Sequence, residues 1–248
     1  MTALATRALN TAPARFADLG YCVFRGALPP AVMAQAAIEL DRLIAAKPDV
    51  RPEHLNEPHV ESAFWLSLCT QPGVLDAVRT VLGDDLVLIM SHLIVKPAYD
   101  GRRVAWHQDQ PTWPSVQGTD IVTAWLAIDT VDTGNGCMHV IPRTQQGYRA
   151  LPMVEDKRDN VFEFGVEVTP ELEARKVPIE LAIGDLSLHD AYALHGSEAN
   201  TSPRRRAGFT MRYANARTVR IDTTKHWVPV YVVSGGAPAE AGYVDLRR

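Results

Sequence analysis

The chain has 248 residues, 46% hydrophobic and 22% charged, with 25 Lys and Arg against 29 Asp and Glu for a formal net charge of −4. No apolar run is long enough to span a bilayer and no overall positive charge offers a nucleic-acid footprint, so a membrane span and a charge-driven nucleic-acid binder are excluded. One domain is expected over 1–248, because all-β architectures of this size commonly share a single core.

The first seventeen residues, MTALATRALNTAPARFA, carry Arg but no acid and lack the apolar core of a secretory signal. They are expected to form a flexible arm. From Pro30 to about Lys47 the apolar positions Val32, Ala36, Leu40, Leu43 and Ile44 recur at helical spacing between bracketing prolines, which predicts an amphipathic helix. A second helix is expected over Gly73 to Leu82, with Gly83 as its stop.

After Gly83 the texture changes to short β-type runs, LVLIMSHLIV, IVTAWLAID, CMHVIP, GDLSLHD, AGFTMRY and WVPVYVV, separated by turn residues. Many short strands without intervening helices predict a mainly β fold with flanking helices, a barrel or a two-sheet sandwich. VDTGNGCM is expected to be a tight turn in which Gly134, Asn135 and Gly136 supply positive φ values. The polar, irregular stretch 143–177 is longer than a connector needs to be and is expected to be a lid or substrate loop. Cys22, Cys69 and Cys137 have no CxxC spacing and an odd count, which points to a reducing, cytoplasmic setting. The basic run Arg204 to Arg206 is read as a solvated loop.

Chemistry is concentrated around WHQDQPTW, Trp106 to Trp113. In an extended segment, residues two apart point the same way, so His107 and Asp109 would present a nitrogen and an oxygen to one point. A third ligand must come from His139, His189, His195 or His226. His139 and His189 lie in strand-like runs, where a lone histidine is usually hydrogen-bonded internally, and His189 also suits a role in orienting a ligand. His195 opens HGSEANTSPRRRAGFTMRY, with Arg206 eleven positions on. His107, Asp109 and His195 would make a two-histidine, one-carboxylate triad, leaving three positions on Fe(II) for a bidentate cosubstrate and O₂. Arg206 would then hold the cosubstrate's far carboxylate. Two rivals use the same residues: a zinc-type hydrolase, which gives Arg206 nothing to bind, and a non-catalytic scaffold, which has no reason to keep every ligand.

The segments GYCVFRGALPP, KPAYDGRRVAWHQDQPTWP, TAWLAIDTVDTGNGCMHVIP, GDLSLHDAYALHGSEANTSPRRRAGFTMRY and VPVYVVSG together resemble the phytanoyl-CoA dioxygenase family of Fe(II)- and 2-oxoglutarate-dependent oxygenases. The resemblance implies a double-stranded β-helix, a jelly-roll or cupin-like barrel. It implies His107, Asp109 and His195 as iron ligands, Arg206 as anchor of the distal 2-oxoglutarate carboxylate, Ser197 as a further donor to it and Trp125 as a wall of that pocket. Hydroxylation of an unactivated C–H bond of a small molecule, with release of succinate and CO₂, follows from the same likeness. Halogenating relatives replace the carboxylate by Ala or Gly, and Asp109 is present here. Where the family continues IPGSH this chain has IPRTQ from Ile141, so Arg143 replaces a turn glycine in a loop that borders the substrate. Lys96 and His92, on one face of SHLIVKP, and Trp106 and Trp113, flanking the metal pair, complete the candidate substrate contacts. The oligomeric state is left open.

Overall fold

The structure is a computed structural model, which describes residues 12–247. Most of the expected arm therefore lies outside the described residues. Its remainder departs from expectation, because residues 12–19 form a helix, α1. Ala12 is buried against the core and Phe16 packs beside it, so this segment is held by apolar contact.

The helix expected from Pro30 forms as α2, Pro30–Ala46, with proline at its first turn, where the missing N–H costs nothing. The second forms as α5, Pro72–Leu82, and Gly83 ends it at φ 78°. Two short helices, α3 (Pro58–Glu61) and α4 (Ala63–Cys69), were not legible in the pattern. Each is too short for helical periodicity to repeat.

An eight-stranded sheet runs in the order β1 (Tyr21–Phe24), β11 (Leu186–Asp190), β6 (Ile121–Ala127), β13 (Arg206–Asn215), β3 (Leu86–Lys96), β15 (Tyr231–Ser234) and β16 (Val244–Asp245), with β2 (Leu55–Asn56) also pairing β3. A four-stranded sheet runs β10 (Val177–Ile179), β7 (Met138–Val140), β12 (His195–Ser197) and β4 (Val104–His107). Two ribbons complete the strands, β5 (Val116–Gln117) with β14 (Arg220–Ile221), and β8 (Met153–Glu155) with β9 (Phe164–Val166). The two large sheets face each other as a double-stranded β-helix, the fold class expected. Every labelled strand pair is antiparallel except β15 with β16.

Period-two alternation divides the large sheet between two environments. Ala207, Phe209, Met211 and Tyr213 of β13 join Val122, Ala124 and Leu126 of β6 in a core shared with Leu40, Trp65 and Val78 of the helices. The Trp65 ring meets Phe209 edge-on at 5.2 Å. Arg206, Thr210 and Arg212 of β13 and Thr123 and Trp125 of β6 line the opposite, inner face. All eleven residues of β3 are buried, covered from both sides, which suits its largely apolar sequence.

The turn before β7 departs in detail from expectation: Thr133–Asn135 make a 3₁₀ turn capped by Asp132, and of Gly134, Asn135 and Gly136 only Gly136 takes a left-handed φ, at 80°. The 143–177 stretch is also less irregular than expected, containing β8, β9 and a helical turn, α6 (Pro170–Glu173). Arg103 reaches Asp156, and Asn160 accepts from the Ala105 N–H, so its middle is tied to β4.

Candidate metal centre

His107 closes β4 and His195 opens β12, and the two are direct cross-strand partners. Ser197 pairs with Val104, so β4 carries one extra residue between the two pairings. Such a bulge re-aims side chains, so that Val104 and His107, three residues apart, line one cavity, while Trp106, next to His107, faces the other way by ordinary alternation. The imidazole rings of His107 and His195 stand 4.1 Å apart. Asp109 follows in the turn after β4, its Oδ1 3.7 Å from His107 Nε2 and 3.9 Å from His195 Nε2. One ligand atom from each of the three residues falls within a 4.8 Å span, and all three residues are buried.

The tautomers suit a cation. His107 Nδ1 is 2.9 Å from the Ala105 carbonyl and His195 Nδ1 is 3.0 Å from the Ala193 carbonyl. A carbonyl only accepts, so each Nδ1 keeps its proton and each Nε2 offers a lone pair. Burial, reinforced by repulsion between neighbouring imidazoles, lowers His107 to about 3 and His195 to about 4, so both are neutral at pH 7. Burial would raise Asp109, but the Arg212 guanidinium, with help from the three histidines around it, outweighs that and holds it well below the usual carboxylate range. Two neutral nitrogens and one anionic oxygen converging on a point fit a divalent first-row ion.

A second pole stands nearby, where Arg206 and Ser197 share a cavity with His107 and His195 and Lys96 backs Ser197. Arg206 is 2% exposed and Lys96 is fully buried, which is rare for unpaired cations. Arg206 donates to the Gly136 and Ile94 carbonyls and to Ser197 Oγ, at 3.1, 3.3 and 3.3 Å. Lys96 donates to Ser197 Oγ at 2.7 Å and to the Glu198 carbonyl. Every acceptor is neutral. Burial accordingly pushes Arg206 down to about 10 and Lys96 well below its ordinary value, the neighbouring Arg206 charge adding to the effect on Lys96. Trp125 lies 5.4 Å from the Arg206 guanidinium. Gly208 is required beneath that ring, because a Cβ there would come within 1.9 Å of it.

The basic run thus splits three ways. Arg204 pairs with Asp132, Arg205 with Asp129 and Asp41, and Arg206 alone turns inward. Asn200 fixes the loop before it by donating to the Lys96, Pro97 and Arg204 carbonyls.

Several expected substrate contacts lie elsewhere. Arg143 sits on the surface at φ 67°, ion-paired with Asp18 at 2.6 Å, and does not line the metal cavity. Trp106 lines a second, polar cavity of about 730 Å³ beneath β8 and β9. Trp113 is core, packed with Val87, Ile89 and Val116, and lies 6.0 Å from the Arg212 guanidinium. His92 is spent on the Glu53 carbonyl at 2.8 Å. His139 also lines the polar cavity, and His226 is held by Ser115 and the Ile89 carbonyl, so neither reaches the triad.

Sequence reasoning missed four contributors. Thr123 donates to Asp109 Oδ2 at 2.5 Å, and alternation from Trp125 would have placed it inward. Arg212 shares the inner face with Arg206. Gln108 donates to the Arg149 and Tyr192 carbonyls and accepts from Leu151 N–H, tying the following loop to the site. Phe162 rests edge-on against His107 at 5.2 Å, and nothing in its local sequence signalled that.

A buried facial triad beside a basic pole whose hydrogen-bond acceptors are all neutral, inside a double-stranded β-helix, is the architecture of a non-haem metal oxygenase. The chain belongs to the phytanoyl-CoA dioxygenase family, whose model matches residues 16–208. It is 29% identical to a Caenorhabditis elegans protein named a probable phytanoyl-CoA dioxygenase, over 63% of this chain and 53% of that one. The chain spans about half the length of the first curated relatives it matches. Among solved structures, the apo form of ThoJ, titled a non-heme monooxygenase, superposes with TM-score 0.78 at 25% identity, covering 95% of this chain and 87% of that one. The epimerase SnoN, solved with Fe³⁺, α-ketoglutarate and nogalamycin RO, gives TM-score 0.72 at 25% identity over 87% and 86% of the two chains. The family's cofactors are Fe(II), 2-oxoglutarate and O₂, and the donor set and cationic pole described above fit them. Among the described residues no helix is long and apolar enough to cross a membrane.

Proposed function

We propose that this chain is an Fe(II)- and 2-oxoglutarate-dependent oxygenase that hydroxylates an unactivated C–H bond of a small-molecule metabolite, releasing succinate and CO₂. The whole of 1–248 acts as one dioxygenase domain in a cytoplasmic setting. His107, Asp109 and His195 hold the iron, and Arg206, Lys96 and Ser197 hold the distal carboxylate of 2-oxoglutarate. When bound, the metal and its cosubstrate supply the oxidising power for C–H cleavage.

The observation that carries the reading is the Arg206–Lys96 pair, two buried basic groups with no carboxylate among their hydrogen-bond acceptors. Burying charge without an opposite partner is costly, so a site that retains two such groups is organised for an anionic ligand. Arg206 and Ser197 line one cavity with His107 and His195, as a ligand with a chelating end and an anionic end requires. Ser197 supports both cations, and Trp125 walls the space between them and β6. The Ala105 and Ala193 carbonyls keep His107 and His195 in the ligating tautomer. Phe162 covers His107 from the β8–β9 side and helps to exclude water. A zinc-type hydrolase would leave the cationic pole without a role.

The test is a metabolite screen that follows succinate formation with Fe(II), 2-oxoglutarate and O₂ present. A substrate is expected to stimulate succinate release and to gain one oxygen in equal amount. Stimulated succinate with an epimerised, cyclised or desaturated product would refute hydroxylation while keeping the oxygenase class.

A further inference from the structure

We propose that Thr123, His189 and Arg212 clamp one oxygen of Asp109 and so reserve its other oxygen for the metal, a role that rests on the iron-centre reading above. The two carboxylate oxygens stand in different surroundings. Oδ1 faces His107 Nε2 and His195 Nε2 at 3.7 and 3.9 Å. Oδ2 accepts the Thr123 hydroxyl at 2.5 Å, with His189 Nε2 at 3.6 Å and Arg212 Nε at 3.9 Å.

Strand register builds this platform. Thr123 on β6 is directly opposite His189 on β11 and directly opposite Arg212 on β13. Three neighbouring strands therefore present three donors in a row beneath a single oxygen. Thr123 is fully buried and β-branched, which fixes its rotamer. Arg212 is aimed by its own support: Nη1 donates to Thr210 Oγ1 at 2.6 Å, and that hydroxyl donates to the His92 carbonyl at 2.8 Å. The Trp113 ring lies 6.0 Å from its guanidinium.

The unused donors point the same way. Among the described residues, neither ring nitrogen of His189 has a partner within hydrogen-bond distance, nor does Arg212 Nε, although both side chains are more than nine-tenths buried. Buried polar groups are ordinarily satisfied, and the acceptor that His189 Nε2 and Arg212 Nε both approach is Asp109 Oδ2. A carboxylate with one oxygen so occupied would offer a metal the other alone. On a six-coordinate ion, two imidazoles and one carboxylate oxygen leave three positions, the number that a bidentate cosubstrate and O₂ require. Chelation by both oxygens would close one of them. Thr123, His189 and Arg212 are thus positioning residues that act through Asp109.

The experiment titrates Co(II) into the apo protein, without cosubstrate or turnover, and follows its visible absorption. Thr123→Val is expected to bind Co(II) at least about tenfold more weakly than wild type, in the range usual for groups that orient metal ligands, and with an altered band shape. Thr123→Ser restores the hydroxyl and is expected to return both affinity and spectrum. If Thr123→Val does not fold by circular dichroism, His189→Leu carries the same expectation. Wild-type affinity and spectrum in the folded variant would overturn the clamp. His107→Ala separates the two levels: loss of Co(II) binding there with an unaltered Thr123→Val refutes the clamp alone, whereas undiminished binding in His107→Ala refutes the metal centre itself.

Discussion

Replacing Arg206 by Met tests whether the cationic pole exists to hold a carboxylate. The substitution keeps an apolar stem against Trp125 and removes the charge. Burial pushes the Arg206 guanidinium from 12.5 down to about 10, so its charge carries a penalty of about 3 kcal/mol at neutral pH. A 2-oxoglutarate carboxylate relieves that penalty by accepting charge-assisted hydrogen bonds, each worth about 1.5–3 kcal/mol. Lys96 and Ser197 remain in the variant and retain part of the interaction. The net loss is therefore set at about 3 kcal/mol, or roughly 100-fold in 2-oxoglutarate affinity. Apo stability is expected to change little, because removing a buried charge offsets the loss of its bonds to carbonyls. Anaerobic calorimetry of the Fe(II)-loaded protein with 2-oxoglutarate provides the measurement. Arg204→Ala serves as control, since Arg204 pairs with Asp132 at the surface. Wild-type affinity in Arg206→Met together with a large loss in the Arg204 or Arg205 variant would refute the assignment.

Three further outcomes follow from particular contacts. Gly208→Ala is expected to cost about 1–3 kcal/mol of stability and to weaken 2-oxoglutarate binding, because its Cβ would displace the Trp125 ring; thermal melts and calorimetry report the two effects. Burial raises Asp190 from 3.8 to about 7, so its contribution is fully present below about pH 4 and is lost as pH rises through about 7. Asp190→Asn is therefore expected to stabilise the fold by up to about 4 kcal/mol above pH 7 and by nothing near pH 3.5, and a pH-independent difference in denaturant midpoints would contradict this. The 143–177 segment is expected to resist limited proteolysis better once a verified substrate is bound, with equal cleavage at saturation counting against a lid.

The sequence shows periodicity clearly and distance poorly. Helices α2 and α5 were legible because apolar repeats run long enough in each to declare a period, and the long strands β3, β6 and β13 because their β-type runs are long and bounded by turn residues. Alternation in RAGFTMR places Arg206, Thr210 and Arg212 on one face but does not say that this face is the inner one. That depended on Phe209 and Met211 meeting the helices, a contact across distant parts of the chain. Trp106 and Trp113 flank the metal pair in sequence, yet strand alternation turns one away from His107 and a 3₁₀ turn carries the other into the core. Arg143 looked like a substrate contact because it replaced a turn glycine. It instead adopts the left-handed conformation itself and pairs with Asp18. Phe162 comes to His107 from a segment without periodicity, and only tertiary folding brings the two together.

Anaerobic addition of Fe(II) and 2-oxoglutarate, followed by visible spectroscopy, tests the central claim most directly. The account predicts a weak charge-transfer band in the wild type that is absent from His107→Ala, Asp109→Ala and His195→Ala, since losing one of three ligands sharply weakens the iron. His189→Ala is expected to keep the band at raised iron concentration. A wild-type protein that forms no band while remaining folded, or a His195→Ala variant that forms it normally, would contradict the account.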